Sequence, residues 1–152
     1  MMIVKEVINT CPAPIIPSLL KSHITLVATY NLTRHEASLL SDALSAVSIQ
    51  MIRESYSFIF PISIVITCDG SISLELANSD ILGVYLARLI LYAVQRWRDK
   101  QYSDRHILSI YIEALYHCIW DIYDETEVNY KVLEIFKHIF PNITITDLYN
   151  MA

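Results

Sequence analysis

The chain has 152 residues, 54% hydrophobic and 18% charged, with a formal net charge of −5. That length suits a single globular domain over 1–152 with one core, and the apolar content excludes disorder as its main state. A mean hydropathy of +0.39 leaves more apolar surface than a monomer hides easily, so a homo-oligomer is expected. The acidic balance argues against a general affinity for phosphate backbones, which depends on many lysines and arginines, and makes a basic protein the natural partner.

At the start, Lys5 and Glu6 together with Pro12, Pro14 and Pro17 break up the apolar run that a signal peptide needs, which predicts a cytoplasmic chain. Residues 1–16 are open to a strand or an irregular arm, and Cys11-Pro12-Ala13-Pro14 forbids helix locally. Pro17 suits a first helical turn, which predicts a helix from Ser18 to about Thr29. Thr33 followed three residues later by Glu36 is a capping box, and Ala37, Leu40, Leu44, Val47 and Met51 carry the helix on toward Glu54.

Between Ile62 and Leu76 the apolar period becomes two around Asp69-Gly70, a pair suited to a two-residue turn. The spacing predicts a β-hairpin pairing Thr67 with Ile72 and Val65 with Leu74. Asn78 or Ser79 can cap a following helix over 81–99, apolar nearly all round at Ile81 to Val94, too short to span a bilayer and therefore central to the core. Ser103 caps another helix with the stripe Leu108, Tyr111, Ile112, Leu115, Ile119 and Ile122. A last long helix runs from Glu127 to Ile139 before Pro141, with a short turn after Thr146. The fold expected is mainly α with a small β-hairpin (α+β): about five helices packed around the central apolar helix 81–99, with hairpin 62–76 on one side.

Three chemistries are testable in this sequence. Glu113, His117 and Asp121 recur every four residues, and with His106 and Asp124 they fall within roughly 80° of one helical face. Such a row, joined by Glu134 and His138 at the same spacing, could ligate a metal. The simpler reading is a solvated face opposite the apolar stripe, and the Glu-x-x-His spacing of carboxylate-bridged di-iron proteins is absent. Arg96, Trp97, Arg98, Lys100, Tyr102 and Arg105 form the one cationic and aromatic cluster, which could hold single-stranded nucleic acid, although Asp99 and Asp104 dilute it. Nucleophilic catalysis has little support: His117 and Cys118 point about 100° apart on a helix, and Cys11, Cys68 and Cys118 include no C-x-x-C pair. With only Gly70 and Gly83, no phosphate-cradling loop exists.

The leading functional expectation is a non-enzymatic interaction module, a regulator, inhibitor or small assembly subunit without a cofactor, that presents Glu113, His117, Trp120, Asp121 and Asp124 to a partner. The alternatives are a metal-dependent protein or enzyme using Glu113, His117 and Asp121 with Glu134 and His138, and a carrier whose surplus apolar residues line a cavity.

Overall fold

The computed structural model describes residues 2–8, 13–76 and 88–149. In chain order its elements are β1 (Met2–Val4), α1 (Ser18–Lys21), β2 (Ile24–Ala28), α2 (Arg34–Glu54), β3 (Ile62–Thr67), β4 (Leu74–Leu76), β5 (Arg88–Ala93), α3 (Val94–Asp99), α4 (Asp104–Trp120), α5 (Glu125–Phe136) and α6 (Ile145–Tyr149). The class is α+β. Its sheet differs from the hairpin expected: β2, β3 and β5 form a three-stranded parallel sheet with β3 at the centre, while β1 and β4 make a separate antiparallel pair.

The central strand reads Ile-Ser-Ile-Val-Ile-Thr, a β-branched run that suits a strand flanked on both edges. Ile24, Ile62 and Arg88 lie side by side, and the register continues through Leu26, Ile64 and Ile90 to Ala28, Ile66 and Tyr92. Because side chains alternate, these positions share one face, whose buried members Ile24, Ala28, Ile62, Ile64, Ile66, Ile90 and Tyr92 belong to the core. On the opposite face Val65 is buried, whereas Leu89 and Leu91 are exposed.

Four expectations are corrected here. Val65 pairs with Val27 and Leu91, not with Leu74. Thr67 pairs with Ala93 instead of Ile72. The Asp69-Gly70 turn is closed locally: the Thr67 hydroxyl accepts from Gly70 N–H at 2.7 Å and Asp69 accepts from Ser71 N–H at 3.0 Å. It thus ends β3 and redirects the chain, and β4 pairs with β1. Of the central helix expected over 81–99, residues 81–87 and the caps Asn78 and Ser79 lie outside the described residues. Residues 88–93 are a strand, and only Val94–Asp99 is helical. The helix expected from Ser18 to Thr29 stops at Lys21, after which Ile24–Ala28 joins the sheet through β-branched and apolar residues.

The helices follow their start signals. Thr33 accepts from Glu36 N–H while the Glu36 carboxylate accepts from Thr33 N–H, so the capping box opens α2 as expected. Ser103 caps α4 by accepting from His106 N–H, and Asp124 caps α5 by accepting from Glu127 N–H. Tyr92 donates to the Tyr111 carbonyl at 2.9 Å, tying sheet to α4, and Tyr111 in turn donates to the Glu36 carbonyl at 3.3 Å. Among the described residues no helix is long and apolar enough to cross a membrane.

Candidate interaction surface

Of the cationic and aromatic cluster that could hold nucleic acid, Trp97 is buried, Arg98 and Tyr102 are half-buried, and Arg96, Lys100 and Arg105 are exposed. Trp97 is buried in edge-to-face contact with Tyr92 and Tyr111, at centroid distances of 5.8 and 5.2 Å. Arg98 donates to both carboxylate oxygens of Glu36, at 2.9 and 2.6 Å, and to the Asn31 carbonyl at 2.7 Å. Its guanidinium lies 5.3 Å from the Tyr30 ring centroid. Glu36 is only 5% exposed. Burial raises its carboxyl, but the bonds from Arg98 and Thr33 more than offset this and hold it below the usual carboxylate range. The pair fastens α3 to the start of α2. Arg105 lies over Phe140 at 5.0 Å, Lys100 is 5.9 Å from the Tyr102 ring, and Arg96 is exposed.

The residues proposed as metal ligands are divided among three settings. Glu113 and His117 approach to 3.7 Å. Asp121 lies 3.5 Å from Arg88, a guanidinium that also donates to the Cys118 carbonyl at 2.5 Å and stacks over Phe60 at 3.8 Å. Glu134 and His138 turn to Gln50 of α2: its amide donates to Glu134 at 3.0 Å and to Glu54 at 2.5 Å, and its carbonyl accepts from His138 Nε2 at 2.8 Å. Lys131 bridges Glu54 and Glu134 at 3.6 and 3.7 Å. Among the described residues no three His, Cys, Asp or Glu side chains gather as a metal centre. Partial burial, with Arg53 nearby, lowers the His138 imidazole below its ordinary value against the pull of Glu134. Cys68 is exposed and Cys118 is buried, its thiol pushed up by burial.

Trp120, placed by helical projection beside the acidic row, is only 8% exposed. It stacks between Tyr56 at 5.2 Å and Tyr116 at 5.1 Å, and the Tyr56 hydroxyl donates to the Ile119 carbonyl at 2.9 Å. The end of α4 is thereby clamped against the chain that follows α2, and the indole is drawn inward. Tyr116 Oη and Trp120 Nε1 are both buried with no hydrogen-bond partner among the described residues. Burial, together with Glu127, Glu54 and Glu134, pushes the Tyr116 phenol up to about 12.

What remains outward is the half-buried stripe of Glu113, Ala114 and His117 on α4, the connector and the start of α5. Asp121 ends α4 with a left-handed backbone, φ 58°, which turns the chain out of the helix. His117 Nδ1 donates to the Ile122 carbonyl at 2.8 Å, and the Tyr123 ring lies parallel to its imidazole at 5.0 Å and 12°. Asp124, Glu125 and Glu127 are exposed beyond it, as are Tyr123 at 66% and Tyr130 at 58%. On α4 itself, Ile110, Glu113, Ala114 and His117 line an open groove of about 320 Å³.

The sequence reading missed Tyr123 as an outward residue because it projected α4 straight through Asp124. Asp124 with Glu127 three residues on is itself a helix-start signal and marks the break. Arg88 was missed because it sits inside an apolar run that reads as helix. Comparison of the chain with protein-family models, with curated proteins and with solved structures gives no match in any of the three.

Proposed function

We propose that this protein is an interaction module that docks a basic protein partner on the surface built from the outer face of α4, the connector Asp121 to Asp124 and the first turn of α5. One observation carries the reading. From His106 to Tyr130 the sequence holds Glu113, Asp121, Asp124, Glu125 and Glu127 but no lysine or arginine, and the three carboxylates of Asp124, Glu125 and Glu127 are exposed. An ordinary solvated helix mixes signs, as α2 does with Arg34, Asp42, Arg53 and Glu54.

A single-sign field of this kind steers an oppositely charged partner and fixes its register more than it adds raw affinity. Affinity needs desolvated anchors, and the exposed rings of Tyr123 and Tyr130 supply residues of the type that dominates binding energy. Arg88, 3.5 Å away, balances part of the charge of Asp121.

The test is chemical cross-linking followed by mass spectrometry, comparing the natural protein with a Glu125→Lys/Glu127→Lys variant. Each reversal at a helix N-terminus costs about 0.3–1 kcal/mol, so the fold survives, as circular dichroism will show. Cross-links from the 113–130 region to basic segments, lost in the variant and weakened by molar salt, are the expected result. Identical cross-links from the variant would refute the proposal.

A further inference from the structure

We infer that the groove on α4 receives an arginine side chain of that basic partner, an inference that rests on the function proposed above. Ile110, Glu113, Ala114 and His117 are spaced by three and four residues, so they form one stripe of the helix and line the same open groove. Its lining combines the apolar side chains of Ile110 and Ala114 with the Glu113 carboxylate and the His117 imidazole. Among the described residues, Glu113 faces the imidazole of His117 at 3.7 Å, and no lysine or arginine pairs with it.

The occupant follows from charge and shape together. The stretch from His106 to Tyr130 carries five carboxylates and no fixed cation, so the complement is a cation. The apolar part of the lining suits the methylene stem of a long basic side chain, whose charged head then reaches the carboxylate. The imidazole of His117, which lines the groove 3.7 Å from the Glu113 carboxylate, is stacked in parallel with the Tyr123 ring, and Tyr123 is 66% exposed, so an aromatic pair adjoins the groove. A planar guanidinium uses both, stacking on a ring while two parallel N–H groups meet the carboxylate, whereas an ammonium uses only the charge. Arginine is therefore favoured over lysine.

The experiment titrates the protein into fluorescein-labelled hexa-arginine and hexa-lysine peptides and follows fluorescence anisotropy at low salt. The natural protein is expected to bind hexa-arginine about five- to tenfold more tightly than hexa-lysine, a preference of the size that stacking and bidentate bonding supply. Glu113→Gln removes the carboxylate and Ala114→Met fills the groove without changing charge; each is expected to erase the preference while hexa-lysine binding persists. Glu125→Lys/Glu127→Lys is expected to weaken both peptides alike. Equal binding of the two peptides, unaffected by Glu113→Gln and Ala114→Met but lost in the double reversal, overturns the groove assignment and leaves the acidic surface standing. No binding of either peptide overturns both.

Discussion

Arg98→Met removes the guanidinium from a carboxylate that is 5% exposed and has no other cation bonded to it among the described residues. Two charge-assisted bonds to Glu36 and one to the Asn31 carbonyl are lost, while methionine keeps much of the stem's volume against Tyr30. Breaking a buried pair by deleting one partner costs about 3–5 kcal/mol, and the Arg98 side chain retains some contact with water, so the lower end of ~3 kcal/mol applies. For a chain of this size that lowers Tm by about 6–12 °C. The pH dependence sharpens the test. Glu36 titrates lower in the fold than in the unfolded chain, so its contribution is fully present above the unfolded carboxylate range and is lost as pH falls through the folded value. In the variant the guanidinium no longer holds that carboxyl down and protonation relieves the stranded charge. Urea unfolding at pH 7 and at a pH below the folded value of Glu36 should then show a large penalty at the first and a much smaller one at the second. A loss below ~1 kcal/mol at pH 7, or an equal loss at both, would refute the account of Glu36 and Arg98 as an internal lock.

Two further outcomes follow from the interior. His138 titrates below its ordinary value in the fold, chiefly because of burial, so folding favours its neutral form and stability declines as pH falls from the unfolded histidine value of about 6.5 through the folded one. NMR titration should place its midpoint below that of a free histidine, and His138→Gln should flatten this part of the stability profile; an unchanged profile would contradict the assignment. Trp97→Ala opens the contact among Tyr92, Tyr111 and Trp97 and should cost about 3–5 kcal/mol in urea unfolding, where an exposed nucleic-acid-binding tryptophan would cost almost nothing.

The helices α2, α4 and α5 were legible because their signals are local. Thr33 with Glu36, Ser103, and Pro141 after the last long helix each act within a few residues, and the structure uses both caps and ends that helix before the proline. The sheet was not legible, because a parallel strand finds its partners far along the chain and leaves no turn between them to read. In β5 the inward residues Ile90 and Tyr92 alternate with Leu89 and Leu91, which are exposed yet equally apolar, so the period of two vanishes into an apolar run. Ile24–Ala28 is similarly apolar and short, and only its pairing with Ile62–Ile66 makes it a strand. At the candidate surface Glu113 and His117 do share one face of α4, 3.7 Å apart. Beyond His117 the left-handed backbone at Asp121 breaks the helical projection and Tyr123 emerges, while Trp120 is drawn inward by stacking with Tyr56 and Tyr116.

The order of the parallel sheet also governs how the chain can assemble. A ribosome delivers β2, then all of α2, before β3 exists to pair with it, and β5 follows only after β4 and the stretch beyond it. Until Arg88–Ala93 emerges, Ile62–Thr67 presents a bare hydrogen-bonding edge with isoleucines on one side and a valine on the other, the combination most prone to pair with a neighbouring nascent chain. Helix formation is local and fast, so refolding should be limited by closing these two long loops and should run in milliseconds to seconds instead of microseconds.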